Sequence, residues 1–315
     1  MNKKLFLGII FVLFSVFCLL NSKPSLAQLV TKLEAIPPRL ELTVEKGEAA
    51  YSVLKVRNGG DSEQAVVVKI QDFVVQDDKG TPVPVEEQVS GRWAASTWVA
   101  VSPAKFVIKP GELKQLDLTV VVPDDALAGG HYAVVFYEPV QGIQIEGTKS
   151  AVALNVGTLV YITVPGPITE NAFVSRMDLP KFSEYGPIPI TTEIENLSDI
   201  HIQPVGAIEI YNWLGKLNST LALEEGKNIF PGKSRIYENT WPQKWGFGKY
   251  KAYLKASYGT QGNILTATVF FWIIPWRVMA MVALLVLIGV LLFIYFRKKS
   301  EKPILETEKS SFSEE

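Results

Sequence analysis

The stretch Lys109-Pro110-Gly111-Glu112-Leu113-Lys114-Gln115-Leu116-Asp117-Leu118-Thr119-Val120-Val121-Val122-Pro123 reads as a turn followed by one strand. Leu116, Leu118, Val120 and Val122 alternate with Asp117, Thr119 and Val121 until Pro123 stops the run. Side chains on a strand alternate between its two faces, so one face here is apolar and the other mixed. Pro110-Gly111 supplies the turn in front. The same grammar extends outward in both directions. Upstream, Leu40, Leu42 and Val44 alternate with Glu41, Thr43 and Glu45, and Lys46-Gly47-Glu48 turns the chain. Tyr51, Val53 and Val56 lead to Asn58-Gly59-Gly60-Asp61, and Ala65 to Val75 is a longer β-branched run ending at Asp77-Asp78-Lys79-Gly80. Downstream, Gly129-Gly130 opens His131 to Tyr137, and Ala151 to Val164 ends at Pro165-Gly166-Pro167. Many short strands between Gly, Pro, Asn and Asp clusters predict an all-β sandwich. Residues 81–96, with Pro82, Pro84 and Gly91, read as an irregular loop.

The second half repeats this order in shorter form. Ile188 to Glu195 ends in Asn196-Leu197-Ser198-Asp199, as the earlier strand ends at Asn58. Pro231-Gly232 parallels Pro110-Gly111, and Gly248-Lys249-Tyr250 parallels Gly130-His131-Tyr132. In both halves the Pro-Gly turn comes roughly 20 residues before the Gly-x-Tyr strand. A repeated order of signals predicts two copies of one architecture. The fold class is therefore all-β: two tandem Ig-like β-sandwich domains, followed by a single transmembrane α-helix.

That helix is read from Trp272 to Lys299. Val278 to Phe296 carries no charge, and about 20 apolar residues cross a bilayer. Pro275 suits a helix start. Trp272 and Trp276 at one end and Tyr295 at the other are placed as interfacial aromatics. Arg297, Lys298 and Lys299 follow the run and only Arg277 precedes it, which predicts a cytoplasmic tail and an outer N-terminal region. At the other end, Lys3 and Lys4, the apolar Leu5 to Leu20 and Ser25-Leu26-Ala27 read as a signal peptide, with an uncleaved anchor as the alternative. The organisation expected is a signal peptide over 1–27, domains over 28–165 and 166–272, a membrane helix over 273–296 and a disordered cytoplasmic tail over 297–315. No Gly/Ser linker separates the last strand from the anchor, so the second domain is expected at the membrane surface.

The chain has 315 residues and a net charge of −1, which points away from nucleic acid as a partner. Its one cysteine, Cys18, lies in the leader, so no disulfide framework is expected. The two histidines, His131 and His201, are too few for an ordinary zinc site and read as strand or edge residues. No nucleophile elbow, phosphate loop or HExxH pattern occurs, so neither an enzyme nor a cofactor is expected. Asp77-Asp78 and Asp124-Asp125 read as solvated turns, because adjacent strand residues face opposite ways. Calcium on Asp72, Asp77 and Asp78 is the alternative. Asn196-Leu197-Ser198 and Asn218-Ser219-Thr220 match the glycosylation pattern. Aromatic residues are the candidate ligand contacts: Trp93, Trp241 and Trp245, since tryptophan joins a large apolar face to a polar N–H. Trp98 reads as core. Trp93 reads equally as core or contact, and Trp241 and Trp245 as one inward and one outward, or as headgroup contacts.

The residues Leu40 to Glu45, Val53 to Asn58, Val66 to Ile70, Ser102-Pro103, Phe106 to Gly111, Leu116 to Pro123 and Gly129 to Phe136 carry a resemblance. Their order resembles the peptidoglycan-binding Ig-like domain of bacterial WxL-interacting surface proteins (family 916 type). That resemblance implies peptidoglycan or a surface protein as partner, beside the lipid bilayer, and no catalytic residues. The first module is also similar to the N-terminal domain of pilus chaperones. Two function classes stay open: a membrane-anchored binding or structural protein of the cell surface, and an accessory subunit of an envelope membrane complex. An ectoenzyme would need a motif that is missing.

Overall fold

A computed structural model describes residues 32–85, 91–140 and 156–300. The signal-peptide reading and the tail reading beyond 300 lie outside the described residues. Module 1 contains β1 (Leu33–Ile36), β2 (Arg39–Thr43), β3 (Ala49–Asn58), β4 (Gln64–Val75), β5 (Pro82–Val85), β6 (Val99–Ser102), β7 (Lys105–Ile108), β8 (Leu113–Val121), β9 (Gly129–Pro139) and β10 (Val156–Val164). Module 2 contains β11 (Ala172–Asp178), β12 (Phe182–Ser183), β13 (Ile188–Asn196), β14 (Val205–Tyr211), β15 (Leu217–Ala222), β16 (Lys233–Trp241), β17 (Gly248–Tyr258) and β18 (Asn263–Ile273). Helix α1 (Trp276–Ser300) follows.

Each module is two sheets packed face to face. In module 1 the sheet β1-β3-β8-β6 covers a second sheet, β2-β10-β9-β4-β5, with β7 also on β4. In module 2 the sheet β11-β13-β16 covers β12-β18-β17-β14-β15. The alternating residues account for this. Leu116, Leu118 and Val120 of β8 are buried against Ala133, Val135, Tyr137, Val160 and Ile162 of the opposite sheet. Their neighbours Gln115, Asp117 and Thr119 lie on the outer face, opposite Lys55, Val53 and Tyr51 of β3. In module 2, Ile188, Ile190, Ile194, Ile208, Ile210 and Leu254 fill the corresponding space. Burying a Leu, Ile or Val side chain is worth roughly 1.5–3 kcal/mol each, so these alternating runs drive both sandwiches.

The segment read as an irregular loop is partly ordered differently. Residues 82–85 form β5, an edge strand with Pro84 opposite Phe73 and Pro82 opposite Val75. Proline is tolerated at an edge, where half of the backbone positions have no strand to bond. Ser96–Trp98 is a 3-10 turn, held by the buried Asp72, whose Oδ1 accepts from Ala95 N–H (3.0 Å) and Ser96 N–H (2.8 Å).

Helix α1 is the one helix among the described residues that is long and apolar enough to cross a membrane, and none of it is buried against the modules. It leaves β18 almost directly. Ile274 N–H donates to Ser183 O (3.0 Å), and Arg277 meets Glu184 through its backbone N–H (3.2 Å) and its Nε (3.4 Å).

Candidate functional site

The modules meet through residues supplied by both. β9 begins with Gly129-Gly130, and its backbone runs against residues Asp199 to His201 of module 2. A Cβ on Gly129, whose φ is +125°, would sit 2.4 Å from Asp199 O. One on Gly130 would sit 3.4 Å from Ile200 Cα. Glycine here permits both the backbone conformation and the close approach. Gly130 N–H then donates to Asp199 O (2.9 Å), and Arg92 pairs with the Asp199 carboxylate (2.9 Å).

Behind these contacts lies a cluster of rings. Tyr132 and Tyr161 come from module 1 and Phe230 from module 2, and all three are buried. Phe230 stands edge-on to Tyr132 at 5.0 Å, to Tyr161 at 5.6 Å and to Phe73 at 5.4 Å between centroids. Edge-to-face pairs of this kind add about 0.5–1.5 kcal/mol each beyond the area they bury. Polar ends are satisfied across the junction. His201 N–H donates to Tyr132 Oη (2.8 Å), and the same hydroxyl lies 3.2 Å from His201 Nδ1, which accepts its proton when the neutral ring carries its own on Nε2. Asn228 Nδ2 donates to Tyr161 Oη (3.2 Å). Burial, and secondarily the nearby Arg39, push the His201 pKa down to about 4. Burial also raises the pKa values of Tyr132 and Tyr161.

A crevice of about 510 Å³ opens beside this cluster. Leu159, Tyr161 and Phe230 form its apolar floor, and Arg39, Lys227 and Arg235 bring three cations to its rim. The cations are held in position. Arg39 Nε meets Glu41 at 3.0 Å and its guanidinium lies 5.8 Å from the Tyr161 ring centre. Lys227 Nζ meets Glu224 at 2.8 Å. Arg235 Nη1 donates to Asn228 O at 3.0 Å, and a side chain on Gly80 would occupy the place of this guanidinium. A guanidinium has five N–H donors, so such a group can hold a structural acceptor and a ligand at once. A smaller cavity of about 170 Å³ shares Pro82 and Leu159 with the crevice and continues it over Phe73, Pro84, Val134, Phe136 and Gly157. The whole is an apolar groove running into a cationic mouth, a shape suited to an extended chain with an acidic end.

The three tryptophans expected as ligand contacts are not brought together. Trp93 is 38% exposed and lies beside the junction, where its carbonyl accepts from Tyr132 N–H (2.8 Å). Trp241 is 1% exposed, packed 5.2 Å from Tyr250 and 5.8 Å from Phe271. It is a core residue and has no face to offer a ligand, because its position on β16 points inward like Tyr237. Trp245 is 63% exposed at the opposite end of module 2, near the start of α1. Trp98 is partly buried against the His131 ring at 4.3 Å. Asn196 is fully buried with its amide bonded to Ile200 O and Ile229 O, so it cannot carry a glycan. Asp72 points its carboxylate at the Ser96 turn rather than toward Asp77, and the described residues hold no cluster that could ligate a metal. Sequence reading missed the crevice because Arg39 is distant in the chain from Lys227 and Arg235. One signal was present: Phe230 precedes Pro-Gly where the first module has Lys109.

No protein-family model and no curated protein matches this chain. Solved structures do resemble it. The class 5 fimbriae chaperone CfaA is 14% identical, with a TM-score of 0.38 over 76% of this chain and 99% of that one. The E. coli chaperone DraB is 11% identical, with a TM-score of 0.35 over 77% and 97%. The Pseudomonas aeruginosa chaperone CupB2 is 12% identical, with a TM-score of 0.35 over 74% and 98%. All three are described as chaperones.

Proposed function

We propose that this chain is a membrane-tethered binding protein that takes an extended, acidic segment of another surface protein into the crevice between its two sandwiches. The single observation behind this is the crevice itself, with Arg39, Lys227 and Arg235 around a floor of Leu159, Tyr161 and Phe230. Helix α1 is the tether, with its basic end, Arg297 and Lys298, on the cytoplasmic side and both modules outside. No pair of carboxylates or nucleophile with its base lines the crevice, so binding is the function its chemistry supports.

The test titrates the purified chain in detergent with matched extended peptides, one acidic, one neutral and one basic. The acidic peptide should bind, and Arg39→Gln with Lys227→Gln should weaken it about ten-fold, or roughly 1.4 kcal/mol. Equal binding of all three peptides would sink the proposal. Peptidoglycan, the partner that the wall-protein resemblance implies, is tested in parallel by co-sedimentation. Pelleting that the two Gln variants leave unchanged would assign wall binding to another face.

A further inference from the structure

At the α1 end of module 2, three separate segments bring exposed apolar side chains to one level. The first is the β14–β15 hairpin tip. Tyr211 lies opposite Lys251 in the register, so residues 212–216 project past it toward Gly248, the start of β17. Trp213 at this tip lies beside Gly248, where an added Cβ would touch its ring at 3.0 Å, and Gly248 pairs with Ile273, the last residue of β18. Trp213 and Leu214 are 64% and 68% exposed. The second segment is 242–247. Gly246 packs on the Ile273 side chain, and Trp245 and Phe247 stand out at 63% and 60% exposed. The third follows β12, where Tyr185 is 54% exposed between the Glu184 that clamps Arg277 and the Gly186 that bonds to Lys244 O. Trp276 on the first turn of α1 completes the ring.

Singly exposed aromatics need no explanation, but these converge on the point where an apolar helix leaves the module. Lys216, Lys244 and Lys249 are exposed among them, while the acidic residue at that point, Glu184, is engaged by Arg277. Tryptophan, tyrosine and lysine together are the side chains that favour the headgroup layer of a bilayer, where rings sit among glycerol and ester groups and ammonium groups meet phosphate.

We infer that this end of module 2 is a lipid-binding surface, with the Trp213-Leu214 tip and the Trp245–Phe247 segment bedded in an anionic headgroup layer around α1. The inference rests on α1 spanning the membrane, since only the span brings lipid to this face. The module is therefore held by a footprint as well as by a tether.

The full chain, in a Cys18→Ser background, is labelled at single introduced cysteines with an environment-sensitive fluorophore and placed in nanodiscs containing phosphatidylglycerol. Quenching by lipids spin-labelled near the headgroup or at the bilayer centre is then compared. Gly289→Cys should be quenched from the centre, and Leu214→Cys from the headgroup by about two-fold, while Tyr51→Cys on module 1 stays unquenched. Quenching at Gly289 without any at Leu214 overturns the lipid-binding surface and leaves the span intact. Loss of quenching at Gly289 overturns the span and the surface with it. All three positions are open to solvent or lipid, so the variants do not disturb either core.

Discussion

Asn58 and Asn196 make the same corner in the two modules, yet only one of the corners is covered. In module 1, Asn58 Nδ2 donates to Ser62 O (2.7 Å) and Ile108 O (3.1 Å), its Oδ1 accepts from Gly60 N–H (3.0 Å), and its carbonyl accepts from Gly111 N–H (2.7 Å). In module 2, Asn196 Nδ2 donates to Ile200 O (2.9 Å) and Ile229 O (2.8 Å), its Oδ1 accepts from Ser198 N–H (2.8 Å), and its carbonyl accepts from Gly232 N–H (2.8 Å). The local partners fall two and four residues on in both modules, and in both the glycine partner follows the isoleucine partner by three residues. Both side chains are fully buried and nearly every polar position is used, so the corner closes the end of a sandwich whatever lies beyond it. What lies beyond is decided one residue after the isoleucine. Lys109 faces solvent at the first corner, and Phe230 enters the ring cluster at the second. A sandwich end becomes a docking face by exchanging one exposed charge for one ring.

The largest effect should come from undoing that exchange. Phe230→Lys would bury an ammonium group among Tyr132, Tyr161 and Phe73 and delete a ring, costing about 4 kcal/mol or more. Calorimetry of the full chain in detergent should then show two transitions, one per module, where the parent shows one. Next come the corners themselves. Asn58→Ala and Asn196→Ala each strand two buried carbonyls and an N–H, and each should cost about 2–4 kcal/mol by chemical denaturation. They should differ in one respect: only Asn196→Ala, which loosens the segment carrying Asp199 and His201, should also expose 165–167 to proteolysis.

Acid should weaken the covered corner selectively, by a somewhat smaller amount. His201 is neutral in the junction and its pKa is lowered from 6.5 to about 4 by burial first and by Arg39 second. Its contribution is complete above pH 6.5 and is lost as pH falls toward 4, because only the unfolded chain takes up the proton in that window. The loss should reach about 2 kcal/mol at pH 5. Burial lowers the His131 pKa as well, so it acts in the same direction. His201→Gln keeps an acceptor for Tyr132 Oη and should flatten the slope between pH 6.5 and 5. The smallest change is the reciprocal swap. Lys109→Phe at the solvent-facing corner should leave stability within about 0.5 kcal/mol, since no partner surface waits for the ring.

The repeat was legible in sequence because its devices are local. Asn58 with Pro110-Gly111, and Asn196 with Pro231-Gly232, stand out as turn signals, and β8 announces itself by alternation. β5 was not legible, since Pro82 and Pro84 argue against a strand unless its edge position is known. Trp241 and Trp245 were read as one inward and one outward, but which was which was not legible, because one residue decides the face of β16 and the proline after Trp241 obscured the count. The crevice was invisible for a different reason. Arg39, Lys227 and Arg235 are three of 31 basic residues, and nothing local marks them as neighbours. Only the packing of β2 against β10, and of Phe230 onto Tyr161, brings them to one rim.

The Glu184 clamp on Arg277 gives the helix a compass bearing. Ile274 bonds to Ser183 and Arg277 to Glu184, so the first turn of the helix is tied to module 2, and module 1 meets module 2 through the ring cluster. In a spanning chain, a turn of the helix about its own axis that keeps these contacts would swing the crevice through the same angle. Whichever face of the helix a neighbour in such a bilayer preferred would then set the direction in which the crevice looks along the plane of the membrane.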